Sequence, residues 1–205
     1  SVKDGDEIIA LESYADRILQ FKKTKMHIIN VSQEVEFLED TFFFKGIDHP
    51  ASVCKTDYGI AWVNKVGCYL YDGQKVQNLL EKQGRQMVNS SIWATFVGED
   101  TAPFIGYHPF DRQIIVGDGF SSSEPGNLYL YDLITQSWVE GSAKIAGVDQ
   151  SRTNFINDWD GNLVLAHTTG TTVKWSNTST TSTSVDIKTK DIDFGDSSQR
   201  KKIYR

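Results

Sequence analysis

The chain is poor in the features that usually announce a function. Among its 205 residues it has two cysteines, four prolines and two methionines. Two cysteines do not make a disulfide framework. Few prolines together with 12% aromatic residues argue against disorder. Basic residues are not in excess: 21 Lys and Arg stand against 27 Asp and Glu, a net charge of −6, and the charges are interspersed. A nucleic-acid module would show a basic patch or stripe. The one basic cluster, Arg200-Lys201-Lys202, reads as a solvated segment at the start of a strand. No run approaches the roughly 18 apolar residues of a membrane span, and Ser1 to Glu7 do not have the pattern of a signal peptide. There is no initiating Met, so the chain is expected to be processed, recombinant or part of something longer.

What the chain does have is a hairpin between Gly59 and Gly73. Two apolar runs, Ile60–Val63 and Cys68–Tyr71, flank the turn Asn64-Lys65-Val66-Gly67, and Asp72-Gly73 closes the second run. β-Branched and aromatic residues bounded by such turn chemistry predict antiparallel strands. Successive side chains on a strand point to opposite faces, so Ile60 and Trp62 face one way and Ala61 and Val63 the other. Both faces are apolar, and the hairpin must be covered on both sides.

The unit recurs. Residues 18–21 with 26–30, 113–116 with 128–132, and 162–166 with 173–177 repeat the pattern, and the second run starts at residues 26, 68, 128 and 173. A repeat of about 40 to 50 residues holding about four short strands is the signature of a β-propeller blade. The expected fold is therefore all-β and β-propeller-like, with about four blade-like antiparallel sheets in a closed ring or in an open or incomplete one. The blades would fall at roughly 7–47, 51–80, 104–140 and 153–185, within a domain spanning 1–185. The insertion 81–103 would hold a short helix near 91–97, capped by Ser90 or Ser91 and stopped by Gly98. Ser176 to Ser184 contains only Ser, Thr and Asn and is expected as a loop or exposed edge. Residues 186–205 read as an exit strand and the truncated start of a further β domain.

Chemistry is harder to find. The acidic candidates Asp16, Asp57, Asp118, Asp158 and Asp160 each lie beside a turn, where Asp caps the local backbone. A sialidase blade would carry Ser-x-Asp-x-Gly-x-Thr-Trp, and Thr168 to Thr172 has neither the Asp nor the Trp. His27, His49, His108 and His167 form no paired ligand spacing. Asp158-x-Asp160-Gly161 is a fragment of a calcium loop without its distal Glu. The expectation is no enzyme, no cofactor, no metal site and no catalytic residue. The candidate contact surface is instead Phe120, Ser122 and Glu124 of a Gly/Ser loop, with Trp93 and Phe96 of the helix.

Three stretches carry a family likeness. Tyr14 to Phe21, Gly59 to Lys65 with Tyr69 to Gly73, and Lys190 to Gly195 with Arg200 to Tyr204 resemble virion structural proteins of tailed bacteriophages, especially marine ones. The resemblance implies a propeller followed by a further β-rich domain. It also implies a role as tail nozzle or tail tube, with a fibre, baseplate-like hub or capsid-associated protein as runners-up. Location in the virion tail, assembly as a homo-oligomeric ring, contact with other tail proteins and a possible host-surface glycan follow from it. The alternative is a carbohydrate-binding or glycan-hydrolysing propeller in host attachment.

The strand order has a direct consequence for the thiols. With Ile60–Val63 between their strands, Cys54 and Cys68 lie roughly 9 to 10 Å apart, whereas a bridge needs Cα atoms within about 7 Å. Alkylation of the unfolded chain without reductant, read by mass spectrometry, should modify both cysteines. An intact Cys54–Cys68 bridge would contradict the order.

Overall fold

A computed structural model of the chain describes residues 5–98, 102–120, 125–142, 155–167 and 170–175. The first sheet is an antiparallel meander of β1 (Ile8–Tyr14), β2 (Arg17–Lys22), β3 (Lys25–Asn30) and β4 (Phe37–Phe43). The second repeats the order with β5 (Val53–Thr56), β6 (Gly59–Asn64), β7 (Gly67–Tyr71) and β8 (Val76–Asn78). A small hairpin, β9 (Glu81–Lys82) and β10 (Arg85–Gln86), leads to helix α1 (Ser90–Val97). The third sheet holds β11 (Phe104–His108), β12 (Gln113–Phe120), β13 (Pro125–Asp132) and β14 (Ser137–Ser142). The fourth holds β15 (Ile156–Asn157), β16 (Leu163–Ala166) and β17 (Thr172–Lys174).

Local chemistry sets the registers. In the β6–β7 hairpin Val63 pairs with Cys68 and Ile60 with Tyr71. Asn64 Oδ1 accepts the amides of Val66 at 2.8 Å and Gly67 at 3.0 Å, closing the turn. Gly59 opens β6 at φ +138°, where an added Cβ would lie 1.9 Å from the Tyr71 carbonyl oxygen; only glycine fits. The same device ends the third strand of the first three sheets. Asn30 Oδ1 accepts from Ser32, Asp72 Oδ1 from Gln74 and Lys75, and Asp132 Oδ1 from Ile134 and Thr135, all at 2.8–2.9 Å. The helix is capped one residue earlier than expected, by Asn89, whose side chain accepts the Ser91 amide at 2.8 Å.

Packing joins consecutive sheets in sequence. Leu19, Phe21, Met26 and Ile28 of the first sheet meet Ile60, Trp62, Tyr69 and Tyr71 of the second, with the Phe21 and Trp62 rings edge to face at 5.3 Å. The opposite face of the second sheet, Ala61, Val63, Cys68 and Leu70, packs with Ile105, Ile114, Val116 and Tyr129 of the third and with Trp93 of the helix. Phe104, Ile115 and Leu128 then meet Phe155, Leu163 and Leu165. Trp62, Val63, Leu70, Leu128, Leu163 and Leu165 are buried, and Leu130 is half-buried. Cys54 on β5 and Cys68 on β7 are both free thiols with β6 between them.

The β-propeller expectation is overturned. The described residues form five separate antiparallel sheets, and none of them closes into a ring or barrel. The reason lies in what two-sided apolar strands require. An inner sheet in any face-to-face series needs cover on both sides, so the hairpin pattern demands neighbours without demanding closure. A closed ring would also bury the outer face of the first sheet. There Leu11, Leu38 and Phe43 are 59%, 58% and 64% exposed.

Leu165 is 1% exposed in β16. Leu165→Ala should lower stability by about 2 to 5 kcal/mol through lost transfer energy and the cavity left behind. Urea denaturation measures this, and a loss below about 0.5 kcal/mol, the range of an ordinary surface change, would place the side chain outside the core.

Candidate functional site

The carboxylates singled out in the sequence are dispersed. Asp16 and Asp160 are exposed in turns, and Asp118 is buried on β12. Asp158 Oδ1 accepts the amides of Asp160 and Asn162 at 3.0 and 2.7 Å. Asp57 Oδ2 accepts the Tyr107 hydroxyl at 3.0 Å beside a cleft of about 370 Å³ that Tyr14, Lys55 and Asn157 also line. Burial and this bond both push the Tyr107 phenol up. The histidines have local partners: His27 Nδ1 lies 2.8 Å from Thr41 Oγ1, and His49 Nδ1 accepts the Ala51 amide at 3.1 Å. His108 Nδ1 lies 3.1 Å from Asp111 Oδ2, and the His167 amide donates to Thr171 O at 2.8 Å. Among the described residues no group of three His, Cys, Asp or Glu could hold a metal ion.

The expected contact residues fall in different settings. Trp93 is fully buried, and its Nε1 donates to Asn64 O at 3.0 Å while its ring packs on Phe96, Tyr129 and Trp138. Phe96 is half-buried, edge-on to Tyr129 at 4.7 Å, and lines an open cleft with Ile92 and Glu140. Phe120 pairs with Pro125 at the end of β12. Ser122 and Glu124 lie outside the described residues, as do the Ser/Thr tract and the exit segment.

The most unusual surface is the outer face of the first sheet together with β4. Cross-strand pairing places Leu11, Gln20, His27 and Thr41 in one row of the first sheet, and Ser13, Ile18, Ile29 and Leu38 in the next. These rows lie on the face turned away from the second sheet. Ser32 to Asp40 are nine consecutive exposed residues that run into β4. A bulge in β4 leaves Glu39 out of register, and Arg17 Nε holds its carboxylate at 3.0 Å while Asn30 Nδ2 donates at 2.9 Å. Those bonds, Arg17 first, keep the Glu39 carboxyl below the usual range. A recess of about 260 Å³ opens beside the strand between Gln20, His27, Ile29, Glu36, Phe37 and Leu38. The signal was present in the sequence, since Phe37, Leu38, Phe42, Phe43 and Phe44 crowd one short segment without polar alternation.

The sequence matches no protein-family model and no curated protein. The likeness to tailed-phage virion proteins therefore gains no support from known relatives, and the five separate sheets are not the tail module it implied. The nozzle or tube role and the glycan-directed propeller both presuppose a ring or a channel. Neither architecture is present among the described residues, and both roles fall with it.

The turn carboxylates make acid stability predictable. Thr135 and Ile134 amides hold the Asp132 carboxyl below its usual range, and Asn162 does the same for Asp158. At Asp72 burial pushes upward, but the amides of Lys75 and Gln74 and the Gln77 side chain outweigh it. With folded values depressed, the stabilisation is complete above the ordinary carboxylate range near about pH 4 and is lost as pH falls through the folded values. Asn keeps the acceptor oxygen without the titration. The doubly substituted D72N/D132N protein should lose less of its urea midpoint between pH 6 and pH 3 than the wild type, and equal losses would show that these groups do not titrate with folding.

Proposed function

We propose that this chain is a protein-interaction module that works by contact rather than by turnover, with the outer face and β4 edge of the first sheet as its contact surface. One observation carries the proposal. Of the seventeen large apolar residues exposed among the described ones, seven belong to the first sheet and its flanks: Ile8, Leu11, Val35, Phe37, Leu38, Phe43 and Phe44. Single exposed apolar residues need no explanation, but contiguous ones mark interaction surfaces. Edge strands in soluble proteins are normally short, charged or covered. β4 is seven residues long and bears phenylalanine at both ends.

The dispersed carboxylates and histidines support the same reading, since the side chains of Asp57, Asp158, His27, His49 and His108 each engage a local structural partner. The partner is another protein, either a second copy of this chain or a different one.

A photo-crosslinking residue placed at position 38 or 43, with position 134 on the β13–β14 turn as control, tests this in cells that produce the protein. Adducts of discrete mass should form from 38 and 43 and not from 134. No adduct at either first-sheet position, or equal adducts at all three, would remove the basis for the proposal.

A further inference from the structure

The chemistry of the β4 edge specifies its partner more narrowly. Resting on the interaction reading above, we infer that β4 receives an extended segment of a different protein as an added strand, one that alternates basic residues with apolar ones. Four features lead to this occupant.

The first is geometry. In the three four-stranded sheets the outermost strands in the chain are β4, β8 and β14, of seven, three and six residues. β1, at the opposite edge of the first sheet, runs beside β6. Among the described residues β4 thus offers the longest apolar edge, enough for about 24 Å of pairing.

The second is the direction of its backbone groups. The Phe44 amide donates back to Thr24 O at 2.8 Å, so by antiparallel alternation the amides of Thr41 and Phe43 face the open side. The Thr41 amide is currently taken by its neighbour's carboxylate, Asp40 Oδ1, at 2.7 Å. A basic side chain drawing the Asp40 carboxylate away would release the Thr41 amide to donate to a carbonyl of the incoming strand.

Charge is the third feature. Glu34, Glu36, Glu39 and Asp40 lie on or just before the strand, and no Lys or Arg occurs between Ser32 and Phe44. Arg17 engages Glu39. Two copies of β4 laid edge to edge would set like charges opposite one another, which disfavours self-pairing and favours a cationic partner.

The fourth is the recess. With Ile29, Phe37 and Leu38 as its apolar walls and Glu36 at its margin, it has room for one large apolar side chain next to a basic one. Strand addition works in this way: main-chain bonds give affinity, and a pocket for alternate side chains gives selectivity.

The probe is a labelled peptide of the length of β4 that alternates Lys with Leu and Val. One control replaces Lys by Glu. The other keeps the charge and replaces the central apolar residue by Pro, which cannot join a ladder. Fluorescence anisotropy with the whole protein should show saturable binding of the Lys peptide, weakened about tenfold or more by the Pro change, a difference of about 1.4 kcal/mol. Binding should be abolished with Glu in place of Lys. Glu36→Gln with Asp40→Asn should weaken it to a similar degree while thermal melting stays unchanged, and the amide resonances of Thr41 and Phe43 should shift on titration. Equal binding of the Lys and Pro peptides would reduce the effect to charge attraction and overturn the inference. Concentration-dependent dimerisation abolished by L38K would also overturn it, by making a second copy the occupant. Crosslinks at 38 and 43 without any binding of the Lys peptide would reject the partner chemistry and leave the interaction reading standing.

Discussion

The structure depends on the need to cover both faces of the β6–β7 hairpin. Every residue from Ile60 to Val63 and from Cys68 to Tyr71 is buried. Trp62 is held on one side by Phe21 at 5.3 Å and by Tyr69 at 5.4 Å. The other side is sealed by the third sheet and by α1, whose Trp93 indole is pinned to Asn64 O. Trp138 repeats the device, donating from Nε1 to Leu79 O at 2.8 Å. Indoles so tethered add their apolar area without leaving the N–H unsatisfied. The first and third sheets are thus fixed relative to the second by aromatic contacts on either side of one hairpin.

Much of this was legible in the sequence because strand period and turn chemistry are local. The runs around residues 60–63 and 68–71 became β6 and β7, and the turn fell between Asn64 and Gly67. The recurrence of the second run at residues 26, 68 and 128 reappears as Asn30, Asp72 and Asp132 closing equivalent turns. What the sequence could not show is global closure. Leu19 and Leu38 are equally apolar, yet one is fully buried and the other 58% exposed, because only the sheet that stands on each side decides which. Two of the stretches that suggested a phage tail protein, Tyr14 to Phe21 and Gly59 to Gly73, are built from the same local physics. Gly59 is required by a backbone close approach and Asp72 by its turn, so such a motif recurs wherever antiparallel meanders recur.

The candidate site shows the same division. Carboxylates beside turns were recognisable as caps, and Asp132 and Asp158 act so. Trp93, expected at a contact surface, lies in the core, where its size places it. The β4 edge was missed because exposure of an apolar strand is a property of its position at the end of a series of sheets. Glu36, Glu39 and Asp40 lie along that edge, and charge on an open strand is a common protection against edge-to-edge pairing.

Hydrogen exchange of backbone amides tests the central claim most directly, comparing the isolated protein with the protein in the assembly recovered from the cells that produce it. The Thr41 and Phe43 amides should exchange quickly in isolation and become protected in the assembly, while those of β6 and β7 stay protected in both. Protection of β4 already complete in isolation, or unchanged exchange in the assembly, would contradict a contact surface at the edge of the first sheet.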